Sequence, residues 1–183
     1  MAETAEFQRL RAAFSSYAIS ISIADLDRED EPIIYANEGF VALTGYAVEE
    51  VIGRNCRFLQ RGEQDPEARA RLRAMLDNPD ILTARAVMQN ARKDGTPFEN
   101  YVFMHQLPTR NGRNLAFASQ FDVTRALASL SHDKIALSYP RELAGPLANY
   151  RGLRKSAAET KLRSVQLAAE TLRTITNARL RHL

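Results

Sequence analysis

Residues 81–123 read as three strands joined by the dipeptides Asp94-Gly95 and Asn111-Gly112, and no other stretch restricts the fold as much. Aspartate or asparagine followed by glycine is a strong signal for a tight hairpin turn. About Ile81–Arg92, Pro97–Pro108 and Asn114–Val123 are therefore expected as an antiparallel meander. Two shorter strands precede it. Tyr17–Asp25 alternates Ile19, Ile21 and Ile23 with Ser20, Ser22 and Ala24, and Pro32–Tyr35 follows a charged turn at Asp27–Glu31. Between the second and third strands the pattern is helical. Asn37 is placed to cap a helix that runs through Leu43 and closes at Gly45, and Asp65-Pro66 starts another that reaches about Leu76 and breaks at Asn78-Pro79. Helices inserted there, followed by a meander, predict an α+β domain built on one antiparallel sheet.

Strand alternation separates chemistry from packing. Phe98, Asn100, Val102 and Met104 share one face of the fourth strand, with Tyr101, Phe103, His105 and Leu107 on the other. In the fifth, Ala116, Ala118 and Gln120 oppose Leu115, Phe117, Phe121 and Val123, while Asn90 of the third sides with Ala86 and Met88. One face is thus small or apolar with a few carboxamides, and the other is largely apolar. An antiparallel sheet commonly leaves one face wet, so an apolar second face predicts a cover, supplied by the terminal helices or a partner subunit. A buried carboxamide without hydrogen bonds costs about 1–3 kcal/mol. Any one of Asn90, Asn100 and Gln120 could bond a neighbour or edge backbone; all three around one cavity are better explained by a ligand.

The only cysteine lies in Gly53-Arg54-Asn55-Cys56-Arg57-Phe58-Leu59-Gln60. Arginines on either side favour the thiolate and an anionic ligand, while Asn55 and Gln60 can each donate and accept hydrogen bonds. That combination suits a polar planar heterocycle carrying a phosphate; an inert buried thiol is the plain alternative. One cysteine forms neither an intrachain disulfide nor a cysteine-based metal cluster, and His105, His132 and His182 are too scattered for a metal site. No apolar run approaches the ~20 residues of a membrane span. The charged start, with Glu3, Glu6 and Arg9, is no signal peptide, so a cytoplasmic protein without membrane contact is expected.

A chain of 183 residues has room for one ordinary domain plus an extension. Three segments are expected: an amphipathic helix within 1–16 carrying Phe7, Leu10 and Phe14, a core over 17–124, and a helical extension over 125–183. Charge follows that division. Residues 1–124 hold 14 Lys/Arg against 18 Asp/Glu, net −4, and 125–183 hold 11 against 4, net +7. In the extension, Ala126–Leu137 reads as a helix, Tyr139-Pro140, Gly145-Pro146 and Gly152 mark a break, and Ser156–Leu180 reads as a long helix with Leu162, Val165, Ala169, Leu172 and Thr176 on one stripe. The basic tail is expected to be a solvated helical face. Its proline-rich breaks suit a DNA-binding helix-turn-helix poorly, so nucleic acid is an unlikely partner.

The cysteine octapeptide resembles the signature of light-oxygen-voltage (LOV) domains, the flavin-binding branch of the PAS superfamily. The resemblance extends over about 17–124 through Pro32-Ile33-Ile34-Tyr35-Ala36-Asn37, Thr44-Gly45-Tyr46, Lys93-Asp94-Gly95-Thr96 and the Gln120 strand. It implies the five-stranded sheet in 2-1-5-4-3 order. It further implies that Asn55, Gln60, Asn90 and Asn100 hold the flavin ring, that Arg57 and Arg73 bind the phosphate of FMN, that Cys56 is the photoactive thiol, and that Gln120 senses the flavin N5 atom. Two positions depart from the family: Arg61 stands where glycine is usual, which leaves FAD open beside FMN, and Ala24 stands where some members carry threonine.

The mechanism so implied is photochemical rather than enzymatic. Blue light excites the flavin, the Cys56 sulfur bonds to ring carbon C4a, N5 becomes protonated, and Gln120 turns its amide; the bond then breaks thermally in the dark. The expected protein is a short LOV photoreceptor without an effector domain, a homodimer in the dark whose association light alters, more readily by loosening it, and which signals to a downstream protein. The rival readings are a light-regulated DNA-binding protein using the basic tail, and a PAS sensor of another small ligand.

Overall fold

The computed structural model describes residues 17–60, 66–108, 114–128 and 158–174, together with Gln8, Ala12, Phe14 and Thr176. Strands β1 (Ser20–Asp25), β2 (Ile33–Ala36), β3 (Thr83–Ala91), β4 (Pro97–Pro108) and β5 (Asn114–Asp122) form one antiparallel sheet in the order 2-1-5-4-3. β1 begins at Ser20 rather than Tyr17, and Ile81 and Leu82 stay outside β3 with their side chains exposed. The Asn111-Gly112 turn, Asp65, Arg61 and the Tyr139–Gly152 break lie outside the described residues.

The Asp94-Gly95 connection is looser than a two-residue turn. Ala91 pairs with Pro97, Gly95 N donates to Arg92 O, and Gly95 alone in the turn has a positive φ, 87°. A two-residue type I′ turn needs both central residues left-handed. Asp94 instead accepts from Thr96 N, which turns the chain without that requirement.

Helices α1 (Glu38–Thr44), α2 (Val48–Val51) and α3 (Pro66–Asp77), with a single 3-10 turn at Cys56–Leu59, fill the β2–β3 crossover. Asn37 caps α1, its Oδ1 accepting from Phe40 N at 3.0 Å and from Ile21 N at 2.9 Å. The Nδ2 of the same side chain reaches the carbonyls of Phe14, Tyr17 and Ile19 at 3.4, 3.1 and 2.9 Å. Gly39 lets α1 sit that close to β1, since a Cβ there would lie 2.5 Å from Ile19 O. Gly45 closes the helix in the left-handed region at φ 76°, as its place after the apolar stretch predicts.

The two sheet faces differ as alternation requires. On the inner face Ala86, Met88, Val102, Met104 and Ala116 pack with Ala68 and Met75 of α3. On the outer face Ile21, Ile23, Tyr35, Leu107, Leu115 and Phe117 gather around Phe14 and Leu172, and Tyr101, Phe103 and Val123 meet Val165 and Ala169. The 158–174 helix and Phe14 therefore cover the outer face in cis. Phe103, Leu107 and Phe117 are 5%, 3% and 0% exposed, so this face does not itself demand a partner subunit. Phe14 alone, edge-on to Phe117 at 5.4 Å between ring centres, contributes about 1.5–3 kcal/mol by burial. Among the described residues no helix is long and apolar enough to cross a membrane.

Candidate functional site

A cavity of about 320 Å³ opens between the inner sheet face and α3, with a deeper recess of about 60 Å³ against the strands. Protein interiors are close-packed, with few voids larger than a water molecule, so a space of this size beside a sheet is the candidate ligand site. Small side chains make the room: Ala24, Ala116 and Ala118 stand on the floor where larger residues would fill it. Leu72, Met88 and Met104 supply apolar walls.

A row of amides crosses the back of the recess. Asn100 Nδ2 donates to Asn90 Oδ1 at 2.8 Å and to Gln120 Oε1 at 3.3 Å, and Gln120 Nε2 donates to Ser22 Oγ at 3.0 Å. Asn90 Nδ2 is spent on the Gln89 carbonyl. Asn100 Oδ1, on a residue 1% exposed, accepts from nothing among the described residues. A buried acceptor without a donor is costly, and Asn100 is one of the residues that line the recess.

Cys56 lines both the cavity and the recess. Its turn is set by Asn55, whose Oδ1 accepts from Arg57 N and whose Nδ2 donates to Asp30 O at 2.6 Å. Asn55 thus stands at the cavity mouth with both ends of its amide already bonded to backbone. The thiol is accessible, yet its pKa is raised from the ordinary value. Protein packed around the sulfur is the first cause; Glu31 adds to it, and Arg57 and Arg73 oppose it. The two observations agree if the open side of Cys56 is the side toward the cavity. Packing around the sulfur thus works against the thiolate that the flanking arginines favour. Gln60 follows the turn, lines cavity and recess, and bridges to Asn90 of β3.

At the mouth Arg57 pairs with Asp30, and Arg73 forks onto Glu31 at 2.7 and 3.2 Å while also reaching Asp77 at 3.2 Å. Arg69 lines the same opening. Among the described residues no group of three or more histidine, cysteine or carboxylate side chains could hold a metal ion.

Comparison with known proteins gives this arrangement a family. Residues 20–125 match the PAS domain. The chain is 37% identical to the LOV domain of the Erythrobacter litoralis EL346 blue-light activated histidine kinase, covering 57% of this chain and 94% of that one with a TM-score of 0.51. This chain belongs to the LOV branch of the PAS family. A blue-light photoreceptor of Listeria monocytogenes is 38% identical over 119 residues, 65% of this LOV chain and 46% of the relative. The light-state dimer of the fungal blue-light photoreceptor Vivid superposes with a TM-score of 0.53 at 27% identity, covering 58% of this chain and 79% of that one. The chain spans less than half the length of the curated relatives it matches.

LOV domains bind flavin chromophores, and the residues present here fit one. The orphaned Asn100 Oδ1 needs a donor from the cavity, and the polar edge of a flavin alternates acceptors with a donor. Asn90, Asn100, Gln120, Gln60 and Cys56 come together in the recess, whereas Asn55, Arg57 and Arg73 meet at the mouth. Three participants escaped the sequence reading. Ser22 was legible only as a small polar residue on a strand, and Asp30 and Glu31 only as members of a charged turn.

Proposed function

We propose that this LOV chain is a blue-light sensor that binds FMN and responds through Cys56. The observation that carries this reading is that Cys56 and the amides Asn90, Asn100 and Gln120 line one recess. Asn90, Asn100, Gln120 and Gln60 would hold the polar edge of the ring, with Asn55 shaping the turn beside it and Arg57 and Arg73 facing the phosphate. A bound flavin supplies the absorption of blue light and an unsaturated ring carbon and nitrogen able to take up a thiol's sulfur and its proton.

The chain's part would be to present that thiol in its neutral form, which carries sulfur and proton together, and the raised pKa of Cys56 supports this. Gln120 would sense the ring nitrogen by turning its amide, and β5 carries it between Ser22 on one side and Asn100 on the other. Such a cycle would return Cys56 to its starting form and consume no substrate, so the reading is of a sensor and not of an enzyme. Output through the terminal segments is supported by the packing of Phe14 and the 158–174 helix on the outer face of the same strands. We take this output to be a homodimer in the dark that light loosens. Among the described residues Ile52, Ile81, Leu82 and Leu167 are exposed large apolar side chains, and Leu82 and Leu167 are the most exposed of them.

The test is an absorption spectrum of the purified protein in darkness, after blue light, and during recovery. A flavin spectrum that bleaches and returns is expected; a colourless protein that takes up no added flavin overturns the reading.

A further inference from the structure

The arginines assigned to the ligand's phosphate already hold carboxylates. Arg57 pairs with Asp30, and the Arg73 guanidinium binds both oxygens of Glu31, the two-point geometry that a phosphate would otherwise take. The turn that brings these acids there is conformationally unfavourable. Asp30 and Glu31 lie at φ 63° and 48°, a left-handed pair without glycine, and Glu31 precedes Pro32, where extended backbone is preferred. The turn is tied from outside: Asn55 Nδ2 bonds the Asp30 carbonyl, and Glu31 N donates to Arg28 O. Glu31, Arg57 and Arg73 all line the cavity mouth.

We propose that Asp30 and Glu31 form a carboxylate latch on the phosphate end of the cavity, so that a phosphate-bearing flavin must displace or repel them whereas riboflavin need not. This rests on the flavin reading above. The cavity then gains less from the phosphate than two arginines would provide alone, and the acids at the mouth set how far FMN is preferred over riboflavin. Asn90, Asn100 and Gln120 line the recess and not the mouth, so their hold on the ring is indifferent to the latch.

The test titrates protein freed of flavin with FMN and with riboflavin, following quenching of flavin fluorescence, for the natural sequence, Asp30→Asn and Glu31→Asn. Asparagine removes the charge and tolerates the left-handed backbone, so both variants are expected to fold, as far-UV circular dichroism would verify. The ratio of FMN to riboflavin affinity should rise by about 5-fold or more in Glu31→Asn, less at high salt, with riboflavin affinity unchanged. An unchanged or lower ratio, with both flavins still binding, overturns the latch and leaves the flavin site standing. Failure of the natural protein to bind either flavin overturns both.

Discussion

Gln120 and Ser22, 98 residues apart in sequence, meet at 3.0 Å, the glutamine Nε2 donating to the serine Oγ. A hydroxyl donates as readily as it accepts, so Ser22 remains a partner whichever way the Gln120 amide points. Asn100 Nδ2, by contrast, serves only its oxygen end. Ser22→Ala should therefore cost about 1–2 kcal/mol of stability and change the rate of dark recovery severalfold, with Ser22→Thr restoring both. Recovery followed by flavin absorbance decides it: identical kinetics in Ser22→Ala would show that the hydroxyl does not hold the amide.

Cys56 separates binding from photochemistry. Cys56→Ala should retain flavin, since amides and arginines line the site, and should lose reversible bleaching, because no sulfur remains to add. The raised thiol pKa sets a second expectation: alkylation by iodoacetamide should be slow at neutral pH and accelerate only above the ordinary value of 9.0. Rapid labelling at pH 7 would mean that the thiolate prevails.

Acid should loosen the outer face. His105 is 2% exposed between Phe103 and Phe117, and both its ring nitrogens lack hydrogen-bond partners among the described residues. Burial first, and Arg173 second, lower its pKa from 6.5 to about 4. The unfolded chain then binds a proton that the folded chain refuses, so stability is full above about pH 6.5 and falls as pH drops toward 4. The loss is on the order of 3 kcal/mol. His105→Leu should flatten this slope in thermal melts recorded across that window, and an unchanged slope would assign it to other groups.

How much of this was legible in the sequence depended on range. The inner-face carboxamides could be read because alternation places Asn100 with Met104 and Gln120 with Ala116 whatever the strands pair with. The sheet order came from family resemblance, not from the alternation itself. The 3-10 turn at Cys56–Leu59 and the helix Val48–Val51 are too short to show a period. The pairing of Glu31 with Arg73 spans 42 residues, and that of Ser22 with Gln120 depends on where β1 and β5 fall in register. No local pattern encodes either contact.

Phe14 and Leu172 should both be structural. Each is buried against the same outer-face cluster, and Phe14→Ala should cost about 3–5 kcal/mol and Leu172→Ala about 2–5 kcal/mol. The costs should not add, because one residue leaving loosens the seat of the other. Chemical denaturation of the single and double variants measures the shortfall; strict additivity would show that the two segments dock independently.

Association is read directly by light scattering. A mass near twice that of the 20.6 kDa chain is expected in darkness, falling toward it under blue light across a concentration series. Coupling of about 1–3 kcal/mol would move the dimer constant 5- to 150-fold. Equal masses in both conditions would remove association as the output.

Asn37 carries a consequence for how this sequence tolerates change. Its amide accepts from the backbone of β1 and α1 on one side and donates toward three carbonyls of the incoming chain on the other, and it is absent from the cavity wall. Aspartate would turn lone pairs toward those carbonyls, and leucine would satisfy none of them. In a survey of every substitution scored only by light response, position 37 would be as intolerant as a residue that touches the chromophore. Its intolerance would come from carpentry: three pieces of backbone share one peg, and only an asparagine has the right faces.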